Sequence, residues 1–267
     1  MPRFHWRQLP APARVAVEAR AGPVERATPV QAGSVADMTA ILHTAGGEVF
    51  CKAVRETHRL AWLHRREADI NAHLPMFVPR LRWHVEAAGW ILLGFDRAPG
   101  RHLDVAPGSS DLPWLAGTLT EMAATRAPQP PVRIQPATAR WANYLASDVV
   151  DGDTLVHTDM NTANFLVDGE SIAVVDWAMP CHGAPWLDSA LMVVRLIRAG
   201  HTPAQAEQWA EQLPAWQVAL PDAVTAFAGA CVERGKEWAE RSPAPHLREL
   251  ADAADRWARH RGTGSTR

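Results

Sequence analysis

The chain has little of what marks several common protein classes. Cysteine is scarce: three residues in 267, at Cys51, Cys181 and Cys231. Odd in number and far apart, they predict no disulfide framework and fit a reduced, intracellular compartment. Cys181 beside His182 is half of a metal-binding pair, but no second pair has the matching spacing, so a loop thiol is expected there. No apolar run reaches the roughly eighteen residues of a membrane span. Residues 1–7 lack the apolar centre of a secretion signal. No membrane partner and a cytoplasmic location are therefore expected. The formal net charge is only −2, which offers no basic surface for nucleic acid. No G-x-S-x-G elbow exists, so a serine hydrolase built on His157 and Asp159 is set aside.

What is present begins with apolar content, 47% of residues, enough for one large domain or for two lobes. The most informative stretch covers residues 153–177. It reads as an apolar run, a polar loop with His157, Asp159 and Asn164, and two short β-branched runs at 165–167 and 172–175. Asp176 and Trp177 follow. Asp168-Gly169-Glu170 is a hairpin turn signal. Such a hairpin would hold Asp159 and Asn164 at one end and return Asp176 to it. Two carboxylates and an amide would then meet, as a hydrated Mg²⁺ carrying nucleotide phosphates requires. A plain polar hairpin is the alternative, since Asp and Asn are ordinary turn formers.

Upstream, residues 1–22 are Pro- and Ala-rich and read as an arm or a short helix. Three strands follow at 25–31, 35–43 and 48–54, with Ala45-Gly46-Gly47 as the turn between the last two. The loop Gln31-Ala32-Gly33-Ser34 is a glycine-poor candidate phosphate cover, in which Gly33 and Ser34 would supply backbone N–H groups and a hydroxyl. Lys52 lies in an otherwise apolar strand on the same face as Phe50 and Val54, so its charge needs a partner. Glu67, in a helix expected over 57–74, is the candidate, with Asp69 as an alternative. A solvent-facing lysine and a surface glutamate are the plainer reading. Pro75 and Pro79 end the helix region. Strands at 82–86 and 90–95 flank the turn Ala87-Ala88-Gly89.

Beyond residue 111 the pattern is helical apart from the strands around the loop. Asp111 and Pro113 mark a helix start with an acidic cap, running to about 124. Further helices are expected over 137–147, 189–199, from Thr202 (as N-cap) to 212, 221–242 and 245–261, with a frayed tail at 262–267. Glu207, Glu211, Glu233, Glu237 and Glu240 are spaced like solvated helix faces. Trp177, Trp186 and Trp209 fit either an acceptor pocket or a core.

The spacing H-x-D-x-x-x-x-N, with D-W twelve residues after the Asn, resembles the aminoglycoside phosphotransferase and choline kinase-like family. The resemblance covers residues 152–188 most closely and 46–101 well. It implies an α+β, two-lobed protein kinase-like fold: a small antiparallel β-sheet lobe with one helix over residues 1–97, and a larger, mainly helical lobe over 98–267. It also implies a small-molecule kinase that moves the γ-phosphate of ATP, or GTP, to a hydroxyl of a small acceptor, an aminoglycoside-like antibiotic or a metabolite. Asp159 would be the catalytic base, and Asn164 and Asp176 would hold Mg²⁺. Lys52, set by Glu67, would hold the phosphates, and the backbone of Asp96 and Ala98 would meet the adenine edge. His157 would be structural, tying the loop to the strand that carries Asp176. Asn161 would touch acceptor or metal. Asp188, in the element after Pro185, would brace the loop backbone, serve the next helix as an N-terminal acid, or do both.

Only twelve residues separate Asp176 from Asp188, and Thr158 stands where regulated protein kinases carry a phosphate-reading arginine. Both features disfavour a protein kinase. A catalytically idle nucleotide- or metabolite-binding module is the other reading, and the retention of Lys52, Asp159, Asn164 and Asp176 argues against it.

Overall fold

Alternating apolar residues in the first hundred positions build an antiparallel sheet. The computed structural model describes residues 4–30, 35–129, 132, 134–242 and 244–264. The chain divides into two units: Met1–Gly100 with Ala173–Met179, and Arg101–Ile172 with Pro180–Arg267.

In the first unit, the N-terminal stretch takes the form of a short helix, α1 (Ala11–Ala21). A proline in its first turn suits the start of a helix, and Gly22 ends it at φ +82°. Ala13 and Val17, one turn apart, are fully buried against the sheet. That sheet comprises β1 (Val24–Pro29), β2 (Met38–Thr44), β3 (Gly47–Arg55), β4 (Leu81–Ala87) and β5 (Trp90–Asp96), in the order β1-β2-β3-β5-β4. β2 begins three residues later than the pattern suggests. Asp37 instead turns its carboxylate onto the backbone N–H and guanidinium of Arg55.

The helix expected over 57–74 is shorter, α2 (Trp62–Asn71). Residues 57–61 form turns closed by i→i−3 bonds such as Ala61 N–H to the His58 carbonyl. At its far end the Asn71 side chain bonds the Pro79 carbonyl and the Leu81 N–H, which competes with further helix. Alternation along β3 sends Val49, Cys51 and Ala53 into the core under α1. Lys52 and Val54 take the opposite face, where Val54 meets Ala61 and Ile91. Gly94 on β5 lies under the Trp83 ring, and a Cβ there would stand 2.1 Å from it.

The second unit opens with β6 (Arg101–His102) and α3 (Leu112–Ala124). Asp111 is the residue before α3 but not a side-chain cap. Its buried carboxylate takes both ends of the Arg101 guanidinium at 2.6 Å and the Asp104 N–H. A charge-assisted bidentate pair outcompetes a cap bond. Then come β7 (Gln135–Pro136) and α4 (Ala137–Trp141). α4 stops six residues short of the expected end. Trp141 is held in the core against Phe227 while Tyr144 turns its hydroxyl to Glu237.

β8 (Thr154–Val156), β9 (Phe165–Asp168), β10 (Ser171–Val174) and β11 (Cys181–Gly183) follow. β10-β9-β6 and β7-β11-β8 form two three-stranded sheets. Cys181 therefore sits buried on a strand, not in a loop, and burial raises the Cys51 and Cys231 thiols, the latter to about 12. None of the three cysteines forms a disulfide.

The remaining helices are α5 (Leu187–Arg198), α6 (Pro203–Ala210), α7 (Pro214–Gln217), α8 (Pro221–Arg241) and α9 (Pro245–Gly264). Thr202 caps α6 through the Gln205 N–H, with the Gln205 side chain returning to Thr202. α8 and α9 pack together, and α9 packs on α5. α9 continues through Gly262, where a frayed tail is predicted. Glu207 is not a solvated acid, because α6 meets α9 there: it accepts from the Trp257 indole at 2.5 Å and from Arg261 at 2.7 Å. Glu237 likewise bonds Tyr144 and Arg241. Glu211, Glu233 and Glu240 are exposed.

Candidate active site

Each unit carries part of the constellation read from the sequence. In the first, the Lys52 ammonium is 2.7 and 2.8 Å from the two Glu67 oxygens and 3.0 Å from Asp176 Oδ1. Lys52 and Glu67 are 9% and 4% exposed, so this is a buried ion pair. Burial opposes the lysine charge, but Glu67 and then Asp176 outweigh it and hold Lys52 above its ordinary value. Asp69 is exposed and takes no part. Beside the pair lies His64, one helical turn before Glu67. Burial first, and the Lys52 charge second, push its imidazole down to about 4.

Asp176 has φ +65°, a left-handed backbone uncommon for a residue with a side chain. The Trp177 that follows is 1% exposed, with its indole donating to the Val174 carbonyl at 3.2 Å. Trp177 is thus core, as is Trp186, which packs edge-on against Phe227. Trp209 is partly buried and donates to the Leu112 carbonyl. The Asp96 N–H donates to the Arg80 carbonyl at 2.8 Å, which leaves any contact with a base to its carbonyl. Ala98 is partly buried in the segment after β5. Gly33 and Ser34 lie outside the described residues.

In the second unit, the loop between β8 and β9 is held from below by Asp188. Its two oxygens accept the N–H groups of His157 and Thr158, each at 2.8 Å. Asp188 also occupies the first turn of α5. Burial raises its carboxyl above the usual range, while the neighbouring His157 and the two amides pull it down. Thr158 has φ +70°, and a β-branched residue there is strained. The Asp188 bond and a hydrogen bond from Arg140 to the Thr158 hydroxyl hold it in place. His157 is buried, and its Nδ1 accepts the Asp159 N–H at 3.2 Å.

Asp159 itself is half exposed. Its Oδ2 accepts the Asn164 amide at 3.1 Å, and its Oδ1 takes the Asn161 N–H at 3.3 Å and the Arg195 guanidinium at 3.5 Å. Asn161 is exposed, and its Oδ1 accepts the Ala163 N–H in the 3₁₀ turn, as an Asx turn does. The Asn164 NH₂ spends its hydrogens on the Asp159 carbonyl and Oδ2. Its own carbonyl oxygen is thereby turned away from Asp159, as a hard cation would require. An amide oxygen of this kind suits Mg²⁺. Asp176, in the first unit, carries a carboxylate whose Oδ1 meets Lys52. No cluster of three His, Cys, Asp or Glu side chains able to hold a metal occurs among the described residues.

Arg195 and Arg140 were not read from the sequence. A signal for Arg195 exists, because it lies seven positions after Asp188, about two turns along the same face of α5. Arg140 carries none: its link to Thr158 spans eighteen positions with no shared element.

Comparisons with known proteins bear on the family likeness and the fold. Residues 113–227 match the family model described as the phosphotransferase enzyme family. No sequence among curated proteins matches the chain. The fold is that of the protein kinase-like small-molecule kinases. A thermostable mutant of aminoglycoside phosphotransferase APH(4)-Ia in its apo form superposes with TM-score 0.58 at 16% identity, over 95% of this chain and 99% of that one. Its ternary complex with ADP and hygromycin B gives 0.53 at 14% identity, over 94% and 98%. An aminoglycoside phosphotransferase from Alicyclobacillus acidocaldarius gives 0.58 at 11% identity, over 96% and 95%. The chain therefore resembles the aminoglycoside phosphotransferase family in motif sequence and in α+β kinase-like fold.

Proposed function

We propose that this protein is a small-molecule kinase, transferring the γ-phosphoryl group of ATP (GTP being compatible) to a hydroxyl of a small acceptor. The observation that carries the reading is the buried Lys52, bound to Glu67 and to Asp176. An ammonium enters a fold interior only with compensating charge, and this arrangement is the one that positions nucleotide phosphates in kinase-like sites. The family match over residues 113–227 and the relative solved with ADP and hygromycin B support it.

In this reading residues 1–97 bind the nucleotide, with the Asp96 carbonyl and the Ala98 N–H on the base and Gly33 and Ser34 near the phosphates. Residues 98–267 supply catalysis and the acceptor site. The acceptor oxygen bonds to the γ-phosphorus as the bond to the β–γ bridging oxygen breaks, and the nucleoside diphosphate departs. Asp159 orients the hydroxyl and takes its proton at a carboxylate oxygen. Asn164 holds Asp159 through its NH₂, and the Asn164 carbonyl and the Asp176 carboxylate would hold Mg²⁺. When bound, that ion neutralises charge on the phosphate oxygens. Positioning and charge supply most of the rate.

The test is a screen of hydroxylated antibiotics and metabolites read by ADP release, with Asp159→Ala alongside. Turnover with some acceptor, lost in Asp159→Ala while Mg-nucleotide binding persists, is the expected result. Nucleotide binding with no turnover across all acceptor classes would instead make the protein an idle binding module.

A further inference from the structure

The second unit holds two arginines that make no close ion pair with any described residue. Arg234, on α8, has its guanidinium 4.4 Å from the ring centres of both Trp141 and Trp238. It makes no hydrogen bond or ion pair to any described residue. Burial first, and the nearby charge of Arg140 second, hold it below the ordinary arginine value. Arg140, on α4, donates one Nη to the Thr158 hydroxyl, while its other Nη is buried with no acceptor among the described residues.

The surrounding carboxylates are otherwise engaged. Asp188, which faces Arg140, gives both oxygens to loop N–H groups. Glu237 is bound to Tyr144 and Arg241. Two like charges side by side, one between indole faces and one with an unmet donor, are costly unless an anion joins them. A planar guanidinium fork suits a carboxylate or a phosphate. Trp238 is 41% exposed, so the stack reaches solvent on that side.

We infer that Arg140 and Arg234 form the anion-recognition part of the acceptor site, so that the acceptor carries a carboxylate or phosphate group as well as its hydroxyl. The placement follows from Thr158, which binds Arg140 and immediately precedes Asp159 in the loop. An anionic group held there would sit beside the loop residue that precedes Asp159. A polycationic aminoglycoside is disfavoured at such a site by like charge. This inference rests on the kinase reading for its meaning, but not for its test.

Titration calorimetry without nucleotide measures binding of inorganic phosphate and of glycolate to the wild-type protein, Arg234→Met and Arg140→Gln. The wild type should bind at least one of the two anions, and each substitution should weaken it by about tenfold or more. Arg234→Lys, which keeps the charge but not the fork, should fall between. A preference for glycolate marks a hydroxy acid as acceptor, and a preference for phosphate marks a phosphorylated alcohol. Circular dichroism checks folding of each variant, and Arg140→Gln carries the test if Arg234→Met fails to fold. In ADP-release assays the KM for the anionic acceptor should rise by a similar factor in Arg234→Met while the KM for nucleotide holds. No anion binding to the wild type, or equal binding to both variants, overturns the inference. So does efficient turnover of cationic acceptors that Arg234→Met leaves unaltered, an outcome in which the kinase reading stands. Anion binding lost in the variants, with no phosphoryl transfer to any acceptor, keeps the anion site and removes the kinase reading.

Discussion

Asp188 accepts the backbone N–H of Thr158 at 2.8 Å across thirty positions of chain, and Thr158 has a left-handed backbone at φ +70°. A strained residue persists only where its surroundings over-determine it. The second Asp188 oxygen, on the His157 N–H, completes that constraint. Asp188→Ala removes the carboxylate that accepts both N–H groups, one buried and one part-buried, and should cost about 3 kcal/mol in urea denaturation. Asp188→Asn keeps one acceptor oxygen and should cost less. Equal stability of the alanine variant and the wild type would show that the loop holds itself.

Removing one member of a buried ion pair strands the other. Lys52→Met leaves the Glu67 carboxylate buried opposite a thioether and should destabilise the protein by about 3 kcal/mol. Adding Glu67→Leu should recover much of that loss, because the stranded charge goes with it. The comparison of single and double variants by denaturant midpoint decides it. A double variant less stable than Lys52→Met would contradict the pairing argument.

His64 predicts a pH dependence. Its imidazole titrates at about 4 in the folded protein, below the usual 6.5, through burial and then the Lys52 charge. Between those two values the unfolded chain binds a proton that the folded chain refuses, so the contribution to stability rises with pH across that window. At pH 4 the loss amounts to about 3 kcal/mol relative to neutral pH. Substituting His64→Leu should remove this component, visible as a flatter stability profile from pH 4 to 6.5 than the wild type shows. Parallel profiles would exclude a buried neutral imidazole.

Gly94→Ala sets a Cβ 2.1 Å from the Trp83 ring, in the sheet that carries Lys52. The ring has to leave its place, at a cost of about 2 kcal/mol or more. A lowered thermal midpoint with altered tryptophan fluorescence is the expected signature. An unchanged spectrum would mean that the sheet relaxes instead.

Much of the proposed residue set is legible in the linear chain because its parts are local. Asp159, Asn164 and Asp176 fall within eighteen residues, ordered by a hairpin whose turn is written as Asp168-Gly169-Glu170. The Lys52 strand announces itself as a charge in an apolar alternation, and Glu67 follows within one strand-to-helix step. The misreadings arose where a side chain found a better partner at a distance. Asp111 has the look of a helix cap but binds Arg101. Glu207 has the look of a surface acid but meets Trp257 and Arg261 on α9. Tyr144 leaves the expected helix for Glu237.

The sequence by itself determined the antiparallel sheet, the helical second half and the order of the acidic loop, since turn chemistry and hydrophobic period act over a few residues. Tertiary structure alone decided which charges meet. It brought Lys52 to Glu67 and Asp176, set Asp188 beneath His157 and Thr158, and laid Arg234 over Trp141. Apart from Lys52–Glu67, fifteen positions apart, those pairings depend on burial and on contacts across thirty to more than a hundred positions. No local spacing rule encodes them, because the free energy of a charge depends on where the whole fold leaves it.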